Sequence, residues 1–234
     1  VEISEHLENI DFEFLSKDLP QLLSSMKIGA DRIVQIVQSL RNFSRLDESE
    51  MKPVNIQEGI DSTLLILQSR LKATADRPAI EIVKNYSHLP LVECYAGQLN
   101  QVFMNILANA IDALESYNLD RGPTAAKANP IAIAITTEYL TPDKIIVRIS
   151  DNGPGMAENV KKRLFDPFFT TKPVGKGTGL GLSISYQIIV EKHRGKLQCI
   201  SAPGEGAEFV IEIPLCQEVS ALPAENTKEM VMSH

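Results

Sequence analysis

The chain has 234 residues, 44% hydrophobic and 23% charged, which suits one full domain with a helical appendage, or two small domains, around a packed core. Its net charge of −7, from 23 basic and 30 acidic residues, argues against a nucleic-acid or anionic-membrane binder, because either needs a basic face.

Residues 1–18 are acidic and mixed. From Leu19 to about Arg45, Leu22, Met26, Gly29, Ile33, Ile36, Leu40 and Phe43 recur at alternating spacings of four and three. That is the seam of a coiled-coil or bundle helix, expected over 19–52, and it needs partner helices to bury it. The plain alternative is an amphipathic helix lying on the next domain. Pro53 ends the helical region. Residues 56–75 read as a second helix, and Ile80 to Tyr86 alternates like a strand closed by Pro90. Gln98 to Glu115 is a strong helix, followed by a polar loop from Tyr117 to Pro130. Ile131–Thr137 and Ile145–Ser150 read as strands, joined through Pro142 and Asp143 as a hairpin. Residues 151–178 hold three prolines and little periodicity, so a long functional loop is expected, with a short helix near Glu158–Leu164. A helix over Leu180–Lys192 and two strands, Lys196–Ser201 and Glu208–Ile213, complete the order. After Pro214 the chain is polar, and 217–234 reads as a tail. Mixed helices and strands joined by short turns predict an α+β domain, a two-layer α/β sandwich with a largely antiparallel sheet.

No apolar run approaches the roughly 20 residues of a membrane span, and no signal peptide opens the sequence. Cys94, Cys199 and Cys216 lie far apart, so neither a disulfide nor a metal spacing follows, and a cytoplasmic setting is the simplest expectation. The sequence begins at Val1 inside an acidic stretch and is read as part of a longer chain.

Four segments carry chemistry. Asn105 and Asn109 sit four apart on one helical face, beside the apolar stripe of Val102, Ile106, Ala110 and Ala113. Paired amides can offer carbonyl oxygens to a hard cation, though on their own they read as two surface amides. Asp151-Asn-Gly153-Pro-Gly155-Met156 follows a strand directly. A carboxylate there can accept from an exocyclic amine, and the glycines let backbone approach a planar ring; alone, it reads as a turn. Phe165-Asp-Pro-Phe168-Phe169-Thr170-Thr171-Lys172 joins loop aromatics, which anchor by packing, to a movable positive charge. Gly175-Lys-Gly177-Thr178-Gly179-Leu180-Gly181-Leu182 opens a helix, and its backbone N–H groups suit phosphate. The Walker pattern fails because Gly177 follows Lys176, and the Rossmann pattern fails because the glycines alternate.

All four in this order resemble the ATP-binding catalytic domain of sensor histidine kinases, in the gyrase/Hsp90/MutL ATPase superfamily. Gly204-Glu-Gly206 is similar to that family's last glycine box, and Leu40-Arg41-Asn42-Phe43-Ser44-Arg45 to the second helix of its dimerisation and phosphotransfer domain. The resemblance covers roughly residues 53–216. It implies the Bergerat ATP-binding fold, preceded by a bundle helix and carrying a flexible lid.

It implies that Asp151 holds the adenine amino group, with Gly153 and Gly155 in the same box. Asn109 is then the Mg²⁺ ligand, Asn105 lies near the phosphates, and Asp112 belongs to the ATP site. Lys172, Gly175, Gly177, Thr178, Gly179, Leu180 and Gly181 belong to the lid, whose position Phe168 and Phe169 help set. The implied cofactors are ATP and Mg²⁺. The implied partners are a second copy of the chain, through the bundle helices, and a response regulator receiver domain, without nucleic acid or membrane contact. Hydrolysing relatives carry a Glu four residues before the metal-binding Asn; Asn105 stands there, and an amide is no general base. Transfer to histidine is favoured over transfer to water. None of His6, His88, His193 and His234 fits the acceptor pattern of a His followed by an acidic residue, so the phosphoacceptor is expected upstream of Val1. Arg194 stands where the family commonly has glycine. Two alternatives stay open: a serine kinase of the anti-sigma-factor type and a non-catalytic ATP-sensing scaffold.

Overall fold

The computed structural model describes residues 18–27, 30, 34, 50–74, 77–119, 129–140, 143–173 and 177–216. Residues 18–27 are helical, with Leu19, Leu22, Leu23 and Met26 exposed. The acidic segment, most of the 19–52 seam, Pro142, Gly175 and the 217–234 tail lie outside the described residues.

β1 (Lys52–Val54) and β3 (Val92–Cys94) form a two-stranded antiparallel sheet. Sequence pattern misses both, since three-residue strands leave no periodicity and Pro53 reads only as a breaker. α1 (Ile56–Ile66) starts at Asn55, whose side chain accepts from the Gln57 N–H at 3.1 Å and caps the first turn. Ile56, Ile60, Thr63 and Leu64 make its buried stripe. The helix expected over 56–75 is instead broken at Leu67 and finishes in the short α2 (Gln68–Leu71).

The main sheet has five strands in the order β2-β4-β5-β7-β6. They are β2 (Glu81–Tyr86), β4 (Ala132–Leu140), β5 (Lys144–Asp151), β6 (Lys196–Ser201) and β7 (Ala207–Pro214). β2 pairs parallel to β4; the other three pairings are antiparallel. Period-two alternation sends Ile133, Ile135, Ile145, Val147, Ile149, Phe209, Ile211 and Ile213 to one face, where all are buried.

α3 (Ala96–Leu119) packs against that face and centres the core. Leu99, Val102, Phe103, Ile106, Leu107, Ala110, Ile111 and Leu114 recur at helical spacing and are buried. The opposite face of α3, which carries Asn105, Asn109 and Asp112, is only partly covered. After the short α4 (Glu158–Lys161), α5 begins at Gly181 and runs as α-helix to Tyr186, then as a π-helical turn over Gln187–Lys192. The wider turn is fixed at its end: His193 N–H and its ring Nδ1 both meet the Ile188 carbonyl, at 3.1 and 2.8 Å.

Candidate functional site

The first half of the site is built from backbone. β5 ends at Asp151, whose Oδ1 accepts from the Gly153 N–H at 2.9 Å. Burial pushes the Asp151 carboxyl up, against the pull of backbone hydrogen bonds from Gly153 and Ala207. The following turn is braced against the Ala202–Gly206 turn. Gly204 N–H donates to the Pro154 carbonyl at 2.7 Å, and Met156 N–H donates to Ser201 Oγ at 2.9 Å. Ser201 Oγ in turn donates to the Gly206 carbonyl at 2.7 Å. Two glycines permit this closeness. A Cβ on Gly155 (φ 67°) would stand 2.0 Å from the Ala202 carbonyl oxygen, and one on Gly206 (φ 75°) 2.0 Å from that of Asp151. The first and last glycine boxes are therefore one interlocked unit. Asn152 anchors it to β4, accepting from Ala132 N–H at 2.8 Å and donating to the Pro130 carbonyl at 2.8 Å.

The second half is built from side chains on α3. Asn105 Nδ2 donates to the Gly181 carbonyl at 2.9 Å and to Ser185 Oγ at 3.1 Å, tying α3 to the start of α5. Its amide is thus committed to positioning the glycine-rich loop. Asn109 Oδ1 accepts from Lys172 Nζ at 3.0 Å, and the same ammonium donates to Asp112 Oδ2. Arg70 Nη2 reaches Asp112 Oδ1 at 2.5 Å and Glu115 Oε2 at 2.6 Å. Partial burial works against the charged form of Asp112, but hydrogen bonds and charge from Lys172 and Arg70 outweigh it and hold its carboxyl below the ordinary range.

The connecting loop is set by turn geometry and two aromatic contacts. Phe165 packs against Tyr186 with centroids 5.3 Å apart and ring planes tilted by 39°, and the Arg163 guanidinium lies 4.5 Å above the Phe169 ring. Phe168 is 74% exposed, so its contribution is backbone: φ is 64°, and Gly179 (φ 66°) packs directly on it. Thr170 Oγ1 accepts from Lys172 N–H at 3.1 Å. Thr178 Oγ1 accepts from Leu180 N–H at 3.4 Å, just before the helix opens at Gly181. A Cβ on Gly177 would come within 2.8 Å of Thr170 Oγ1.

The sequence-derived candidates thus fall into two groups, Asp151, Gly153 and Gly155 in one, and Asn105, Asn109, Asp112, Lys172 and Gly181 in the other, joined along α3 where Gly153 packs near Leu114. Sequence reasoning missed Arg70 and Glu115. The available signal was the acidic pair Asp112 and Glu115, three apart on one helical face. His193 is fully buried, its Nε2 accepting from Tyr95 N–H at 3.1 Å. Desolvation lowers its pKa, outweighing the Ile188 hydrogen bond. Proximity to a helix end, which favours a cation, is overridden by that burial, and His193 is a neutral structural histidine. Arg194 at φ 51° explains why glycine suits that position.

The chain belongs to the family of histidine kinase-, DNA gyrase B- and HSP90-like ATPases, whose model matches residues 95–217. It is 33% identical over 196 residues to the signal transduction histidine-protein kinase AtoS of Escherichia coli, covering 83% of this chain and 29% of AtoS. It is 40% identical over 129 residues to sporulation kinase E of Bacillus subtilis, covering 55% of this chain and 15% of that kinase. The chain therefore spans less than a third of either relative. Among solved structures, the catalytic domain of histidine kinase ThkA superposes with a TM-score of 0.57 at 30% identity, over 71% of this chain and 96% of ThkA's. Full-length ShkA in complex with AMPPNP shares the fold, with a TM-score of 0.57 at 22% identity. The domain is thus a histidine kinase catalytic domain of the two-component type.

Proposed function

We propose that this chain is the Mg-ATP-binding portion of a sensor histidine kinase that passes the γ-phosphate to a histidine on a separate bundle helix. A response regulator aspartate then receives it, and the bundle helices pair two copies of the chain. The carrying observation is the division of the site: a backbone-braced carboxylate at the end of β5, and an amide-rich face of α3 bridged by Lys172. Asp151 supplies an acceptor for an exocyclic amine, while Gly155 and Gly206 keep the turns beneath it close-packed. Such a charge-assisted bond contributes roughly 1.5–3 kcal/mol.

The residues fit a cation bound together with phosphate. Asn109 Oδ1 and Asp112 Oδ2 already share one positive charge, the Lys172 ammonium. A single amide oxygen cannot complete the shell of a hard cation, so Asn109 would hold Mg²⁺ jointly with the nucleotide. When bound, Mg²⁺ neutralises charge on the phosphate oxygens. Asn105 offers no base for water and is occupied with Gly181 and Ser185. His193 is buried with both ring nitrogens engaged, which favours an acceptor on another segment. A cytoplasmic location follows from this role, and among the described residues no helix is long and apolar enough to cross a membrane.

Calorimetric titration of the chain with a non-hydrolysable ATP analogue and Mg²⁺ tests the reading. Uptake is expected for the wild type, with a roughly tenfold to hundredfold loss in Asp151→Asn. Absence of uptake by the wild type refutes it.

A further inference from the structure

Five charged side chains, on two helices and two connecting segments, form one chain of contacts. Lys172 Nζ meets Asn109 Oδ1 at 3.0 Å and also donates to Asp112 Oδ2. The other oxygen of Asp112 accepts from Arg70 Nη2 at 2.5 Å, and the same nitrogen reaches Glu115 Oε2 at 2.6 Å. Arg77 approaches Glu115 Oε1 at 3.5 Å and also donates to the Arg70 carbonyl.

We propose that Lys172 latches its own loop onto α3 through Asn109 and Asp112 before nucleotide binds, and that Arg70 loosens the latch by sharing the Asp112 carboxylate. The latch is the loop's own contact. Its meaning as self-inhibition rests on the nucleotide reading above, because it occupies Asn109 Oδ1. The Lys172 backbone is fixed by Thr170, so holding the ammonium constrains the loop and not only one side chain. Two carboxylates, Asp112 and Glu115, serve three cations, Lys172, Arg70 and Arg77. Removing Arg70 leaves two anions for two cations, and Lys172 is then held more firmly. The side chains of Lys172, Asp112, Arg70 and Glu115 are each about one-third exposed. Solvent screening therefore keeps each effect to a few-fold.

Amide hydrogen exchange on the 234-residue chain, free of nucleotide and metal, reads the latch directly in peptides from 164–173 and 177–182. Peptides from 99–107 of α3 serve as the fold control. Lys172→Met is expected to speed loop exchange roughly threefold, and Arg70→Met to slow it roughly twofold. The double variant should match Lys172→Met alone, because Arg70 acts through the latch. Glu115→Gln should speed exchange, since Arg70 then gives itself wholly to Asp112; this variant decides the matter should Arg70→Met disturb α3. Unchanged loop exchange in Lys172→Met, or slower exchange in Glu115→Gln, overturns the proposal. Nucleotide uptake by calorimetry with no change in loop exchange would sink the latch alone. The expected exchange pattern without uptake would sink the nucleotide reading alone.

Discussion

The two halves of the site are held by different physics. Around Asp151, interlocking turns, positive-φ glycines and backbone hydrogen bonds leave no room for an added methyl group at Gly155 or Gly206. Around Lys172, the constraint is an ion-pair network about one-third exposed and two aromatic contacts. Backbone closure inside a packed fold is costly to break, whereas surface ion pairs are individually worth roughly 1 kcal/mol or less. On the proposed reading, the Asp151 end would recognise adenine and benefits from a fixed acceptor, and the Lys172 end would admit and release phosphate and benefits from contacts that exchange.

Breaking the first half should have the largest effect. Gly155→Ala forces a methyl group to within 2.0 Å of the Ala202 carbonyl at φ 67°. Strain and clash together should cost about 2–4 kcal/mol, measured by denaturant unfolding. Gly204→Ala is the matched control: φ is 83° but nothing lies within 4 Å. It should lose only about 1 kcal/mol of backbone strain. Equal losses in the two variants would show that conformation, not interlocking, sets the rigidity.

Asp151→Asn separates stability from recognition. Burial raises this carboxyl, against hydrogen bonds from Gly153 and Ala207, so folding favours its neutral form. A raised carboxyl pKa stabilises the protein below the unfolded value, near 3.9, and that contribution is lost as pH rises through the folded value. At neutral pH the charged form is thus a burden on the fold, so Asp151→Asn should leave the melting temperature level or higher while weakening analogue binding roughly tenfold to hundredfold. In the wild type, affinity should fall on acidification from a pH above the ordinary Asp range. A melting temperature that drops along with affinity would place Asp151 among the structural residues.

His193 gives a smaller, pH-readable effect. Burial lowers its pKa despite the Ile188 hydrogen bond. Protonation then favours the unfolded chain: stability is full above the unfolded pKa of about 6.5 and declines as pH falls below it, levelling once the folded pKa is passed. Denaturant midpoints should fall between pH 7.5 and 5. His193→Gln should remove most of that slope.

Legibility in the sequence follows the same divide. Long periodic elements declared themselves: α3 through its apolar stripe, β4, β5 and β7 through alternation. The glycine boxes were readable because only glycine tolerates the close approaches at Gly155 and Gly206. Three things were not readable. β1 and β3 are too short for a period, and their pairing joins residues some forty positions apart. The neutral state of His193 depends on burial that no local pattern encodes. Arg70 is an ordinary helix residue until α2 brings it to Asp112 and Glu115.

The smallest effects should separate neighbouring aromatics in the loop half. Phe168 and Phe169 look equivalent in sequence, and both were expected to set the loop's position. Phe168 is largely exposed, and its strained backbone at φ 64° does the positioning. Truncation at Cβ leaves that backbone unchanged, so Phe168→Ala should alter stability by less than about 0.5 kcal/mol. Phe168→Gly admits the same φ without a Cβ, so relief of strain and added freedom of the unfolded chain nearly offset each other. Phe169 instead lies under the Arg163 guanidinium at 4.5 Å. Its replacement by Ala should cost about 0.5–1 kcal/mol and raise loop exchange, and Arg163→Ala should reproduce that rise. A larger loss at Phe168 than at Phe169 would mean that ring packing, not turn geometry, holds this half together.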